Sequence, residues 1–346
     1  MSSNIDIPDL QKRIDGNGAA RPVILRHIGD IVAENREPDW LIHKIIERNV
    51  LAVLAGPRGT FKSFIALDWS MRMALEGHAG VILSGEGAGL DRRVAAWINT
   101  HRESTDLADV PLVALERPLN LTAIAEMMAL VDAIKGLPQE PAFIVVDTFS
   151  KFSTGLDEND NGEVAAFLSG LSEHLREDLH CTVLLVAHSG HGDVQRPRGA
   201  SSLMSNPDAE YIVSRPDPQG FTVTVTRERF KDAPAMPPLA YEAKVIDLGR
   251  LDRYGDPVTS LALITADAPP LSARGKGRNQ AKVIIALKEW TRSHPTESHI
   301  TSMDIRGICK NQGLARNRIG EVLESFVAQQ IISPAVGGYS LHSENL

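Results

Sequence analysis

At 346 residues the chain holds about two domains of ~150 residues each, and with 43% hydrophobic and 23% charged residues neither wholesale disorder nor a collagen-like repeat is compatible with it. No apolar run approaches the roughly 18 residues that span a bilayer, and the first residues, with Asp6, Asp9 and Asp15, lack the apolar stretch of a signal peptide, so the expectation is a cytoplasmic protein with no membrane partner. The formal charge of −8 argues against nucleic acid bound over the whole surface, but it is unevenly spread: residues from Ser272 onward sum to +4 and those before them to −12, which makes the tail the candidate nucleic-acid module.

Residues 1–38 mix prolines, glycines and charges without sustained periodicity, predicting an irregular arm that leads into Trp40-Leu41-Ile42. Beyond it strand and helix alternate. The apolar run Val50 to Ala55 predicts a buried strand, and Phe64 to Leu75 a helix. Val81 to Leu83 predicts a short strand, followed by a glycine-rich turn and a helix from Leu90 to Thr100. A helix over Leu121 to Lys135, a strand over Phe143 to Asp147, a helix over Glu163 to Leu179 and a strand over Cys181 to Ala187 follow. Tyr211 to Ser214 and Phe221 to Arg227 complete the strands. Parallel strands need helix-length crossovers, so this order predicts an α/β protein with a mostly parallel sheet and helices on both faces.

Composition shifts again at 266–278, where Ala268-Pro269-Pro270 and a run of Arg274, Lys276 and Arg278 among small residues predict a basic linker between a domain at 39–265 and another at 279–346. In the second domain Ala281 to Trp290, Thr301 to Asn311 and Ala315 to Gln330 predict three short helices. Ile331-Ile332-Ser333, a Gly337-Gly338 turn and Tyr339-Ser340-Leu341 then predict a two-stranded wing. A winged helix places Arg316, Asn317 and Arg318 at the start of its third helix, where base edges are usually contacted; a small helical domain for protein contacts is the other reading. Cys181 and Cys309 have neither metal-knuckle nor disulfide spacing and are expected to be buried thiols.

The strongest chemical signal is Gly56-Pro57-Arg58-Gly59-Thr60-Phe61-Lys62-Ser63-Phe64, directly after a buried strand and opening a helix. It matches the phosphate-binding pattern G-x-x-x-x-G-K-[ST] except that Phe61 stands at the second glycine. Backbone N–H groups and the helix dipole favour an anion there, Lys62 reaches the β and γ phosphates of ATP, and the Ser63 hydroxyl ligates Mg2+. Phe61 is expected to avoid positive φ, so that either the turn differs slightly or Gly59 takes the unusual dihedral. Asp147 ends an apolar strand at the edge where a parallel sheet binds its ligand, and is the second candidate ligand of the metal. Because Thr148 and not an acid follows it, the water-orienting base is sought at Glu86, after the second strand; its other reading is a solvated acid in a glycine turn.

These residues, together with Val145-Val146-Asp147-Thr148, Val186-Ala187-His188-Ser189-Gly190 and Arg198-Gly199-Ala200-Ser201-Ser202, resemble the RecA-like ATPases of the RepA and DnaB-like type, and more narrowly the AAA-family ATPases of phages and plasmids, over about 38–265. The resemblance implies Glu86 as catalytic base and His188 as the sensor linking the γ-phosphate to DNA-binding loops. It implies Arg198 beside a DNA-facing loop, and Arg229 or Lys231 reaching the neighbouring subunit's nucleotide in a homo-oligomer, by analogy a hexamer. Arg227 competes for that last role, and Lys231, a point charge without a fork, departs from an arginine finger. His188 also reads as a core histidine, and the Arg229 segment as exposed charges on an edge strand.

Weaker features stand beside these. Asp157 to Gly162 begins like a calcium loop, but Leu168 occupies the position that requires Glu, so an acidic loop is expected. His188, His191 and Asp193 lack the helical spacing of zinc hydrolases. Arg92 and Arg93 read as surface charges on a helix, with contact to the nucleotide as the other reading. Taken together, the sequence points to a ring-forming, ATP-dependent DNA helicase or replication ATPase. The rival is a DNA-binding ATPase that regulates, loads or mediates without unwinding, and a small-molecule kinase trails both.

Overall fold

The computed structural model describes residues 25–35, 37–85, 89–101, 107–188, 202–215, 220–230, 236–266, 278–295, 297–313, 316–328 and 331–342. Contacts divide the chain into two units, Met1–Ala266 and Asp267–Leu346.

Among the described residues, the first helix of the first unit is α1 (Ile28–Ala33), capped by the His27 ring, which accepts the Gly29 N–H at 3.1 Å. Composition predicts an irregular arm over 1–38, but its described part contains this helix. Its Ile28 and Val32 are exposed. A small antiparallel pair follows, β1 (Trp40–Ile42) and β2 (Ile46–Glu47). The main run is then β3 (Leu51–Gly56), α2 (Lys62–Leu75), β4 (Gly80–Ser84), α3 (Leu90–His101), β5 (Leu112–Leu115), α4 (Ile124–Lys135) and β6 (Phe143–Asp147). It continues through α5 (Phe149–Phe152), α6 (Asn161–Gly170), a π-helical turn at Leu171–Glu177, β7 (Thr182–His188), α7 (Ser202–Ser205), β8 (Ala209–Ser214), β9 (Thr222–Phe230), β10 (Leu239–Leu251) and β11 (Pro257–Ala266).

These strands form one nine-stranded sheet in the order β11-β10-β9-β8-β3-β7-β6-β4-β5. From β8 to β5 every pairing is parallel, and β9, β10 and β11 extend it antiparallel. The expected α/β class with a mostly parallel sheet holds, with β3 between β8 and β7 and β6 next beyond β7. Both faces are covered: Val53, Ile144 and Leu185 pack with α4 and α6, while Leu54, Val145 and Val186 pack with α2 and α3. A strand buried on two sides has no polar face, which is why its sequence is a continuous apolar run.

A buried polar network fixes α2 and α3 against the antiparallel strands. Asp68 accepts hydrogen bonds from Trp97 Nε1 and from Arg72 Nε, both at 2.8 Å. Trp69 Nε1 donates to the Tyr241 hydroxyl at 2.9 Å, and a His101 ring nitrogen lies 2.8 Å from the Leu263 carbonyl. Burial, reinforced by the Asp68 charge, pushes the Tyr241 phenol up to about 12, so it remains neutral.

The second unit contains α8 (Arg278–Ser293), β12 (His299–Thr301), α9 (Ser302–Asn311), α10 (Arg316–Ala328), β13 (Ile332–Ala335) and β14 (Gly338–Leu341). Its three strands pair antiparallel in the order β12-β14-β13, so the expected two-stranded wing gains a third strand. Thr301 caps α9 by accepting the Asp304 N–H at 3.1 Å. Gly338 is required at the crossing, since a Cβ there would sit 2.1 Å from the Ile300 carbonyl oxygen. Leu287, Ile305, Cys309, Phe326 and Ile331 fill the core. Burial pushes the Cys309 thiol up to about 11 and the Cys181 thiol up to about 12, leaving both as inert apolar groups.

Candidate nucleotide-binding site

The phosphate-type loop leaves β3 at Gly56, where β8 passes so close that a Cβ would meet the Val213 carbonyl oxygen at 2.5 Å. Gly59 takes φ +77°, as expected. Phe61 does not behave as expected: it lies in the left-handed region itself, at φ 60° and ψ 25°, a conformation that costs a non-glycine residue roughly 1–2 kcal/mol. The loop thus keeps the backbone of its missing glycine and carries a phenyl ring on it.

Neighbours hold that ring. The Arg215 guanidinium, just beyond β8, lies over Phe61 at 5.1 Å from the ring centroid, and its Nη1 donates to the Gly59 carbonyl at 3.1 Å. Phe64 meets Phe61 edge-on at 6.2 Å and is itself covered by Arg93 at 5.1 Å. Two arginine–aromatic pairs therefore bracket Lys62 and Ser63 at the start of α2. No side chain caps that helix and no acid stands in its first turn, the arrangement that leaves a helix N-terminus receptive to an anion.

Lys62 is buried, and its Nζ donates to the carbonyls of Gly56 at 2.8 Å and Pro57 at 2.7 Å. Thr60 Oγ1 tightens the same turn by donating to the Pro57 carbonyl at 2.9 Å. Ser63 Oγ donates to Asp147 Oδ1 at 3.0 Å. Asp147, only 5% exposed, ends β6 beside Ser84, the last residue of β4, and the Gly85 N–H donates to the Asp147 carbonyl at 2.7 Å. A hydroxyl and a carboxylate converging at the mouth of a phosphate-type loop form a hard oxygen donor set that fits Mg2+. Beside them is a small hollow whose lining includes Ser63, Ser84, Arg93 and Asp147. Arg93, expected at the surface, thus faces the site.

His188, the last residue of β7, lies in register with Gly56, at the same sheet edge as the loop. Arg229 does not join this group. It pairs in register with Glu210 near the start of β8, at the opposite edge of the sheet, and its Nη2 donates to the carbonyls of Ser205, at 2.6 Å, and Pro207. Arg227 donates to the Lys44 carbonyl at 3.0 Å and covers the Phe230 ring. Glu86, Arg198, Lys231, His191 and Asp193 lie outside the described residues. Arg316, Asn317 and Arg318 open α10. In the acidic segment, Asp160 caps α6 by accepting the N–H groups of Gly162 and Glu163 at 2.7 and 2.9 Å, a helix-start role that Asp followed by Glu three residues later would have indicated. Arg215 had no signal in the sequence, because its place depends on β8 being the neighbour of β3.

A family model described as an AAA domain matches residues 19–194. No curated protein matches the chain significantly. Among solved structures, the RadB recombinase aligns at 14% identity and TM-score 0.43, over 56% of this chain and 87% of that one. A DnaB-like replicative helicase, described with its interactions with primase, aligns at 12% identity and TM-score 0.44, over 61% and 59%. A KaiC-like protein from the hyperthermophilic archaeon Pyrococcus horikoshii aligns at 14% identity and TM-score 0.44, over 63% and 91%.

Proposed function

We propose that this chain, which belongs to the AAA domain family, is a ring-forming DNA motor that hydrolyses Mg·ATP at its subunit interfaces, as a helicase or replication ATPase of the RepA-like type. The observation that carries the reading is the convergence of Ser63 on Asp147 at 3.0 Å, next to the buried Lys62 and the uncapped start of α2. Phosphate oxygens take the place of the Gly56 and Pro57 carbonyls as acceptors for Lys62, and the N–H groups of the loop and first turn cradle them. Ser63 and Asp147 hold Mg2+, which when bound neutralises charge building on the phosphoryl group. Glu86, one residue beyond Gly85, orients the attacking water. His188, in register with Gly56, senses the γ-phosphate.

Arg229 lies at the sheet edge away from its own loop, so any contact it makes with nucleotide is with a neighbour's, and Lys231 follows it. Single-stranded DNA passes the ring beside Arg198. The test is ATP hydrolysis with and without single-stranded DNA, alongside the solution mass with a non-hydrolysable nucleotide. The expected result is stimulation together with a hexamer-sized particle. Hydrolysis indifferent to DNA, by a monomer or dimer, overturns the motor reading.

The second unit supports a second reading. Its order of helix, strand, two helices and hairpin suits a duplex-binding winged helix with α10 in the major groove, and ATP then controls assembly of a regulator or loader on a specific site. A strong preference for one duplex sequence, with no strand separation, favours it over the motor.

A further inference from the structure

Phe61 occupies a backbone conformation that only surrounding structure can impose on a phenylalanine, and one side chain makes two of the contacts that impose it. We infer that Arg215 is a positioning residue that clamps the phosphate loop into its nucleotide-receiving shape, compensating for the absence of the loop's second glycine. The inference rests on the reading of this loop as the ATP site.

The clamp has two jaws. The guanidinium plane covers Phe61 at 5.1 Å, inside the ~6 Å at which a cation over a ring is attracted to it. Its Nη1 donates to the Gly59 carbonyl at 3.1 Å, so the two residues with positive φ, Gly59 and Phe61, are tied to the same group. The base of the clamp is fixed independently: Arg215 Nε donates to the Gly220 carbonyl at 2.7 Å, and Phe221 lies 6.0 Å away on the hairpin that leads into β9. A lysine at this position could not reproduce both jaws, because it lacks the planar fork that stacks and donates at once. With glycine at position 61 the same dihedral would carry little strain, and the clamp would have little left to do.

That dependence distinguishes a clamp from a direct nucleotide contact. In the nucleotide-free full chain, amide hydrogen exchange over residues 59–63 is expected to speed up about tenfold in R215A and R215K, with α4 and α6 unchanged, since local opening sets the rate. In titrations with a non-hydrolysable ATP analogue, R215A is expected to weaken binding about tenfold, with kcat at saturating ATP unchanged; in the F61G background the same substitution changes binding less than about threefold, the difference being the coupling energy of the pair. Equal losses in both backgrounds would make Arg215 a direct ligand of the nucleotide and overturn the clamp, as would unchanged exchange in R215A. If the wild-type chain binds no ATP analogue while exchange responds as expected, the clamp stands and the ATP reading fails.

Discussion

The two edges of the parallel strands both gather charged side chains, and they do so for different ends. At the edge where the strands finish, Lys62 and Asp147 are 4% and 5% exposed, and Asp147 lines a hollow with Ser63 and Arg93. At the edge where they begin, Arg229 donates to the carbonyls that close the connection from α7 to β8, and Asp208 accepts both the Leu51 N–H at 3.0 Å and Arg176 Nη1 at 3.1 Å. The second set is spent on backbone groups and one ion pair within the fold, and would be wanted in any chain with this topology. The first set is gathered at a helix start that no side chain caps, where fold stability gains little from it. Lys62 also rests on backbone carbonyls, so what marks a place for a ligand at this edge is the Ser63–Asp147 pair beside the hollow and the uncapped helix start.

The sharpest way to break this comparison is to remove the first set. K62A and D147N are each expected to lower ATP hydrolysis at least about 10³-fold, or ~4 kcal/mol of transition-state stabilisation. Their thermal unfolding midpoints are expected to stay within a few degrees of wild type or to rise, because taking a charge out of the interior removes a desolvation cost. Phosphate-release assays paired with thermal melts read both quantities. A large loss of stability with modest loss of activity would place Lys62 and Asp147 with the architecture.

Much of that edge was legible in the sequence, because it depends on local order: an apolar strand, a loop and Lys-Ser opening a helix, then a second apolar strand ending in Asp147. The parallel core was legible for the same reason, since strands buried on both faces are unbroken apolar runs. What was not legible depends on which strands become neighbours. Arg215 reaches the loop because β8 lies beside β3, and Arg93 reaches the hollow because α3 packs against α2; neither position is settled by its own surroundings in the sequence. β10 and β11 were missed because their outer halves leave the core: Val245 and Leu251 are exposed there, so period-two alternation breaks down. Phe61 was misjudged because the constraint on its φ comes from Gly59, Phe64 and Arg215 together, not from its own preference.

The second edge supplies the next test. R229A leaves the Ser205 and Pro207 carbonyls without their donor, an expected cost of about 1–3 kcal/mol, read as a lower unfolding midpoint. If Arg229 also reaches a neighbour's nucleotide, mixing R229A with K62A subunits regenerates sites in which one protomer supplies the lysine and the other the arginine, and hydrolysis partly returns. A stable R229A protein would mean that these carbonyl contacts do not hold the fold and that the arginine is kept for a partner.

The smallest expected effect is also at this edge. Glu210, opposite Arg229, is pushed from 4.5 up to about 7 by burial first and by the Glu228 charge second, with Arg229 acting in the other direction. A carboxyl raised in the folded state holds a proton that the unfolded chain has already released, so folding takes up protons and stability falls as pH rises from about 4.5 to 7, then levels off. E210Q keeps the shape and removes the titration. Its expected advantage is absent near pH 4 and grows through that window to a plateau on the order of 1 kcal/mol, after discounting the part of the side chain still in water. Melting curves of both proteins across the window decide it. Parallel curves would mean that Arg229 already neutralises Glu210; converging curves at low pH would mean that the architectural edge carries this carboxylate at a net cost, consistent with an arginine whose hydrogen bonds are committed to backbone.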